Sequence, residues 1–299
     1  MDKTLLILGL GYCGRAVAAQ AAGFAVSGTV RDPDAHAADG LDRIAFDAAA
    51  PAIARATHLL VSLPPKDGVD PALCFRDALM AAPNLRWIGY YSTTGVYGDA
   101  QGARVNETTT PDPCGPRGQA RLAAEAFWQE VASRHAIPLD IMRIGGIYGP
   151  GRSAFDALRA GTARRTVAPG HVFSRIHRDD IAQATLAAMA TATQGTRILN
   201  LVDDEPSPSY VVTEYASALL GVAPPAAHTL EEAWPTMSPM ARSFWADRRV
   251  VDNTRTKAAL GLDWIYPNCR DGLTALLRQE SVAGASEAAP GLGATNDRS

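Results

Sequence analysis

The pattern Gly9-Leu10-Gly11-Tyr12-Cys13-Gly14 puts three glycines where a phosphate cradle needs them. The first makes a tight turn, the second admits a pyrophosphate against bare backbone, and the third lets a helix pack closely on the preceding strand. Helix amides and the helix dipole then face the anion. The apolar run Leu5-Leu6-Ile7-Leu8 leads into the pattern and an alanine-rich stretch follows it. This strand–turn–helix context separates a dinucleotide site from an incidental glycine-rich turn. Gly9, Gly11 and Gly14, with the intervening Tyr12 and Cys13, are therefore the expected pyrophosphate contacts. Arg31 stands where strand two should end, one residue ahead of Asp32. A carboxylate at that place bonds a ribose 2′-hydroxyl, whereas an arginine matches a 2′-phosphate. Arg31 thus points to NADP, with NAD as the alternative. Asp47, ending strand three, is placed to accept from the adenine amino group or to cap a turn. Ser62, in the fourth strand run, joins the cofactor-facing set.

These residues need a scaffold, and the chain supplies one in β-α-β-α order. Strands are expected at Leu5–Leu8, Phe24–Val30, Ile44–Phe46, His58–Leu63, Arg86–Ser92, Leu139–Ile144 and Arg197–Val202. Helices are expected over about 14–22, 71–81, 119–135, 154–161, 180–192 and 210–220. Continuous apolar strands alternating with helices imply a parallel sheet covered on both faces. The fold class is thus α/β, a doubly wound Rossmann sheet with a smaller C-terminal substrate lobe. Residues 1–150 form the dinucleotide-binding core. Residues 151–280 form a lobe that interleaves with the last core strand, and 281–299 read as a small, polar, disordered tail.

Composition excludes several classes. The 299 residues carry a net charge of −3, which gives no electrostatic reason for nucleic acid or an anionic membrane as partner. No apolar run reaches the roughly 18 residues of a membrane span. Asp2 and the immediate glycine turn argue against a signal peptide, so the cytoplasm is the expected location. Cys13, Cys74, Cys114 and Cys269 lie far apart without zinc-ligand spacing and read as reduced thiols, with no metal site expected.

Four further segments carry a resemblance. Tyr91-Ser92-Thr93-Thr94-Gly95-Val96-Tyr97-Gly98 and Arg143-Ile144-Gly145-Gly146-Ile147-Tyr148-Gly149-Pro150-Gly151 resemble strand-end segments of the extended short-chain dehydrogenase/reductase superfamily. Arg175-Ile176-His177-Arg178-Asp179-Asp180 is similar to its downstream stretch. Asn200-Leu201-Val202-Asp203-Asp204-Glu205-Pro206 resembles a segment of its nucleotide-sugar epimerases and dehydratases. The resemblance implies a Ser or Thr that holds the substrate oxygen, a Tyr that passes a proton, and a Lys that grips the ribose. It places the hydroxyl at Thr93, with Ser92 and Thr94 beside it. It places the Tyr-x-x-x-Lys pair on Arg117 and Arg121, with Glu125 four residues beyond. Gly146 also stands where sugar-nucleotide epimerases carry Asn.

The departure matters, because a guanidinium keeps its proton below a pH of about 12 and cannot replace a phenol as general acid. Three explanations stand open. Tyr97, Tyr148 or His177 supplies the proton instead. Alternatively, Arg117 and Arg121 bind an anionic substrate and hydride transfer needs no side-chain acid. Finally, the chain binds the dinucleotide without turnover, as a sensor or regulatory protein. Packing at strand ends is the competing reading for both tyrosines, a hydrogen-bonded hinge for His177, and a solvated helix face for the two arginines. Arg152 completes the substrate set with Thr94, Tyr148 and His177, while Trp234, Phe244 and Trp245 either line a pocket or pack. The expected function is an NAD(P)-dependent oxidoreductase or epimerase/dehydratase-like enzyme acting on a small polar molecule, sugar-derived or anionic. The resemblance also makes a homodimer a common arrangement.

Overall fold

The computed structural model describes residues 3–34 and 40–287. The strands are β1 (Thr4–Leu8), β2 (Ala25–Val30), β3 (Asp42–Ala45), β4 (His58–Val61), β5 (Trp87–Thr93), β6 (Arg104–Val105) and β7 (Leu139–Ile144). They continue with β8 (Gly146–Tyr148), β9 (Arg165–Val167), β10 (Arg175–His177), β11 (Thr196–Leu201), β12 (Ala227–Thr229) and β13 (Val250–Val251). The first helices are α1 (Tyr12–Gln20), α2 (Ala50–Arg55), α3 (Arg76–Met80), α4 (Pro116–His135), α5 (Ala154–Arg159) and α6 (Arg178–Ala190). After them come α7 (Ser209–Leu220), α8 (Leu230–Ala233), α9 (Pro239–Ala246), α10 (Thr254–Leu260) and α11 (Cys269–Glu287).

Seven strands form one parallel sheet in the order β3-β2-β1-β4-β5-β7-β11. The strand order reverses between β1 and β4, and ligands of open α/β sheets bind beyond the C-terminal strand ends at such a switch point. Successive side chains of β1 face opposite layers. Leu6 and Leu8 join Ile53, Leu59, Ile88 and Trp128 on one side, while Leu5 and Ile7 join Val17, Met142, Ile181 and Leu199 on the other. Both faces are dry, which is why these strands read as unbroken apolar runs.

The expected strand and helix positions hold to within a few residues in this core. Pro116 starts α4 earlier than expected, because its fixed φ suits the first helical turn and its missing N–H costs nothing there. The segment from Pro71 opens as a tighter 3-10 turn, capped by Asp70, before α3 begins. In the second half, short parallel ladders join β8 to β10, β9 to β12 and β6 to β13. Helices α5, α7 and α11 close around Tyr148, Phe155, Ala216, Leu273 and Leu276. Helix α11 runs to Glu287, past the tail boundary expected at 281, and residues 288–299 lie outside the described part.

Two buried polar clusters tie the sheet. Asp140 in β7 accepts a two-pronged grip from Arg197 of β11 at 2.6 and 2.9 Å, and a bond from Trp87 Nε1 of β5 at 2.7 Å. Nearer the C-terminal ends, Arg143 of β7 donates to both oxygens of Glu125 in α4, at 3.1 and 2.8 Å. The two side chains are only 4% and 3% exposed, so each charge depends on the other. Removing one partner strands a buried ion, whereas replacing both by apolar groups is often neutral. Glu125→Ala is expected to cost about 3–5 kcal/mol in urea unfolding. The double variant Glu125→Leu, Arg143→Met should recover most of that loss.

Candidate active site

At the switch point, Gly9 takes φ +92°, a left-handed turn, and a Cβ there would sit 2.8 Å from Leu63 Cδ2. A Cβ on Gly14 would lie 2.9 Å from Gly9 O, so α1 presses directly on the turn, as the third-glycine role requires. Around Gly11 there is open space, with Gly9 O 4.0 Å from its would-be Cβ. Gly11 caps α1 without a side-chain acceptor, which leaves the first-turn amides to an outside anion. Two contacts that the sequence reading missed pin this turn to β2. Gly9 N donates to Thr29 Oγ1 at 2.8 Å, and Gly28 makes room for Leu10, whose Cβ would be 2.8 Å from an added methyl.

Tyr12 crosses from the cradle to the turn after β8, its hydroxyl donating to Pro150 O at 3.0 Å. Arg178 and Arg152 lie over its ring at 5.1 and 5.8 Å. Burial pushes the Tyr12 phenol up to about 12 and the Cys13 thiol up to about 11, so both stay protonated and Cys13 is no nucleophile. Arg31 is exposed just beyond β2, and Asp47 is exposed on a 3-10 turn after β3. Ser62 follows β4 and donates its amide to Leu8 O at 2.9 Å.

Beyond the end of β5 the hydroxyls divide. Ser92, expected beside the reacting group, is 4% exposed and donates to Glu125 Oε1 at 2.5 Å, so its hydroxyl belongs to the buried ion pair. Thr93 is half-buried at the strand end, where its Oγ1 accepts from Gly95 N at 3.1 Å and keeps its own proton to give. Thr94 is buried in the 3-10 turn that follows. Tyr97 donates to Asn200 Oδ1 at 2.8 Å beneath the Arg143 guanidinium, 4.8 Å from its ring, and burial pushes its phenol up.

Of the other replacement acids Tyr148 is bonded, whereas His177 uses Nδ1 and leaves Nε2 buried without a partner. Tyr148 donates to Asn268 O at 3.3 Å against Gly272, and burial pushes its phenol far up. His177 is fully buried, its Nδ1 accepting from Asp179 N at 3.1 Å as the cap of α6. Rings of Tyr266 and Tyr148 pack on it at 4.2 and 5.1 Å, and burial pushes the imidazole down to about 4. It is neutral at pH 7 and held by its cap.

The two arginines of α4 behave differently from each other. Arg121 Nη1 donates to Tyr91 O at 2.6 Å, Tyr90 Oη at 3.0 Å and Leu63 O at 3.3 Å, bracing the ends of β4 and β5. Arg117 is exposed and lies over Phe244 of α9, 5.6 Å from its centroid. Sequence reasoning missed Arg249, whose Nη1 donates to Gly98 O at 2.7 Å and to Asp247 at 3.0 Å. Its Nη2 lies 4.0 Å from the Cβ direction of Gly95, beside Thr93. The charged run Asp247-Arg248-Arg249 inside an aromatic cover segment was the available signal.

No family model matches the chain. A conserved protein of unknown function from Silicibacter pomeroyi is 42% identical, with a TM-score of 0.84 over 93% of this chain and 99% of its own. MoeE5, solved with UDP-glucuronic acid and NAD, gives 0.75 at 19% identity over 94% and 99%. The human epimerase family protein SDR39U1, solved with NADPH, gives 0.72 at 16% over 92% and 99%. The likeness to the last two structures is one of fold, a parallel α/β Rossmann-like sheet flanked by helices. Among curated proteins, 3-diazoavenalumate denitrifying reductase from a Streptomyces species is 32% identical over 54% of each chain. Protein YeeZ from Escherichia coli K12 is 26% identical over 60% of this chain and 58% of its own. The chain thus spans little more than half the length of these curated relatives. Arg117 and Arg121 stand at the two places that the sequence resemblance assigns to the Tyr and the Lys.

Away from the strand ends, a cavity of about 400 Å³ opens in the lobe between α5, α7 and α11, with Arg152, Arg164 and Arg175 on its wall. Next to Arg175, Asp203 is 2% exposed, and burial pushes its carboxyl up to about 8 against the pull of that arginine. Among the described residues no cluster could hold a metal ion, all four cysteines are free, and no helix is long and apolar enough to cross a membrane. A carboxyl raised from an unfolded value of about 3.9 gives stability that is full below that pH and is lost as pH rises through about 8. Asp203→Asn should therefore match the parent protein near pH 4 and exceed it progressively up to pH 8. Thermal unfolding across that range checks the sign.

Proposed function

We propose that this protein is an NAD(P)-dependent oxidoreductase, with NADP preferred, acting on a small polar substrate at the ends of β5 and β7. The observation that carries the reading is the uncapped, glycine-lined start of α1, which opens at the sheet's switch point against Leu63, two strands from the β5 end bearing Thr93. A nicotinamide dinucleotide held there would supply hydride transfer. Gly11 and the first-turn amides would hold its pyrophosphate, Arg31 its 2′-phosphate, and Arg121 its nicotinamide ribose.

Thr93 is the donor left for a substrate oxygen, since Ser92 is committed to Glu125. Tyr97 and Tyr148 are tied to Asn200 and Asn268, while His177 caps α6 through Nδ1 and keeps a buried Nε2 without a partner. Hydride delivery would then leave negative charge on the acceptor, stabilised by Thr93 and the nearby guanidinium groups, with water providing the proton. Such preorganised donors are commonly a large term in catalysis. The absent phenol also supports a second reading, a dinucleotide-binding sensor, because the epimerase-type proton relay has no acid here.

Calorimetric titration with NADPH and NADH tests the cofactor assignment. NADPH should bind more tightly, and Arg31→Ala should weaken it about tenfold or more, the worth of a charged phosphate contact, while leaving NADH unchanged. Tighter binding of NADH, indifferent to Arg31→Ala, would contradict the NADP reading.

A further inference from the structure

Two arginines stand near the turn that follows Thr93, and one of them touches an aromatic ring. Gly118 meets Gly95 O, which would lie 3.1 Å from an added Cβ, so the start of α4 is seated on the turn that follows Thr93. That contact brings Arg117, the preceding residue, to one flank of the turn. Arg249 comes to the other flank, with Nη1 anchored on Gly98 O and Asp247, and Nη2 directed toward Gly95. Anchoring one nitrogen of a planar fork fixes the direction of the remaining donors, which suits a carboxylate better than a mobile lysine would.

The cover segment supplies the second surface. Phe244, on α9, is 53% exposed. Next to it, Trp245 packs with Phe173 and His171 at 4.9 Å each, and these two rings meet at 4.7 Å. The chain following Phe173 lies against the end of β7, where Ser174 O would be 2.7 Å from a Cβ on Gly145. The aromatic wall therefore borders the same strand ends as Thr93. His171 Nε2 is buried there without a hydrogen-bond partner. Burial and the nearby Arg248 push that imidazole down.

We infer that the substrate is a small aromatic acid, its anionic group held by Arg249 and Arg117 and its ring laid against Phe244, which Arg117 already touches. This deepens the oxidoreductase reading above and rests on it. Arg249 is the specificity-determining residue, because its guanidinium is the one anchored beside Thr93. In this arrangement the arginine at the lost tyrosine's place binds charge in the substrate.

The probe is 4-hydroxycinnamate, titrated into the protein saturated with NADP and followed calorimetrically, with 4-hydroxycinnamyl alcohol and cyclohexanecarboxylate as comparisons. The aromatic acid should bind at least about tenfold more tightly than either. Arg249→Gln should erase the advantage over the alcohol, and Phe244→Ala the advantage over the saturated acid. NADPH affinity should be unchanged in both variants, which also shows that they are folded. No binding of the acid to the cofactor-loaded protein, equal binding of acid and alcohol, or an indifferent Arg249→Gln would each overturn the inference. Failure of the parent protein to bind NADPH or NADH would instead overturn the oxidoreductase reading.

Discussion

A single dry ion pair holds the site together. Glu125 faces inward from α4, takes both prongs of Arg143 from β7, and accepts the Ser92 hydroxyl from β5. Arg143 in turn lies over Tyr97, whose hydroxyl reaches Asn200 on β11. Three adjacent strands and the long helix are thus fixed by one connected set of polar groups. Such a pair gives little net stability compared with apolar packing, yet it tolerates no partial loss. It also sets the position of α4 over the strand ends. Arg121, one turn before Glu125, can therefore span the ends of β4 and β5, and Arg117, one turn earlier still, reaches the cover helix.

That geometry separates binding from proton transfer. The cradle keeps every feature that a pyrophosphate needs: a left-handed Gly9, open space at Gly11, and Gly14 pressed against the turn. The phenols near the strand ends are each bonded to another protein group, and His177, buried, caps α6 through one ring nitrogen and leaves the other without a partner. What faces the reacting end is a threonine hydroxyl and fixed positive charge. Chemistry that develops negative charge fits these surroundings, whereas chemistry needing a side-chain acid does not.

The cradle and the sheet were legible from sequence because their causes are local. Glycine spacing dictates the turn, and strands buried on both faces announce themselves as apolar runs, so β1, β4 and β7 fell within two residues of expectation. The partners of Ser92, Tyr97 and Tyr148 were not legible, since each is distant in sequence, Glu125, Asn200 and Asn268, whereas the hydrogen-bonded role weighed for His177 is a local cap of α6. Sequence shows that a residue can donate or accept, and packing decides to whom. Arg249 escaped notice for the same reason, because its place beside Gly95 exists only once the cover segment has folded back. Helix α11 was overlooked although Cys269, Leu273, Leu276 and Leu277 recur at helical spacing, and these residues dock it on α7 and its neighbours.

A crystal structure with NADP bound tests the central claim most directly. The account predicts the pyrophosphate on the amides of Gly11 to Gly14, the 2′-phosphate within hydrogen-bond distance of Arg31, and the nicotinamide next to Thr93. A dinucleotide found elsewhere, or one whose nicotinamide points away from the ends of β5 and β7, would contradict it.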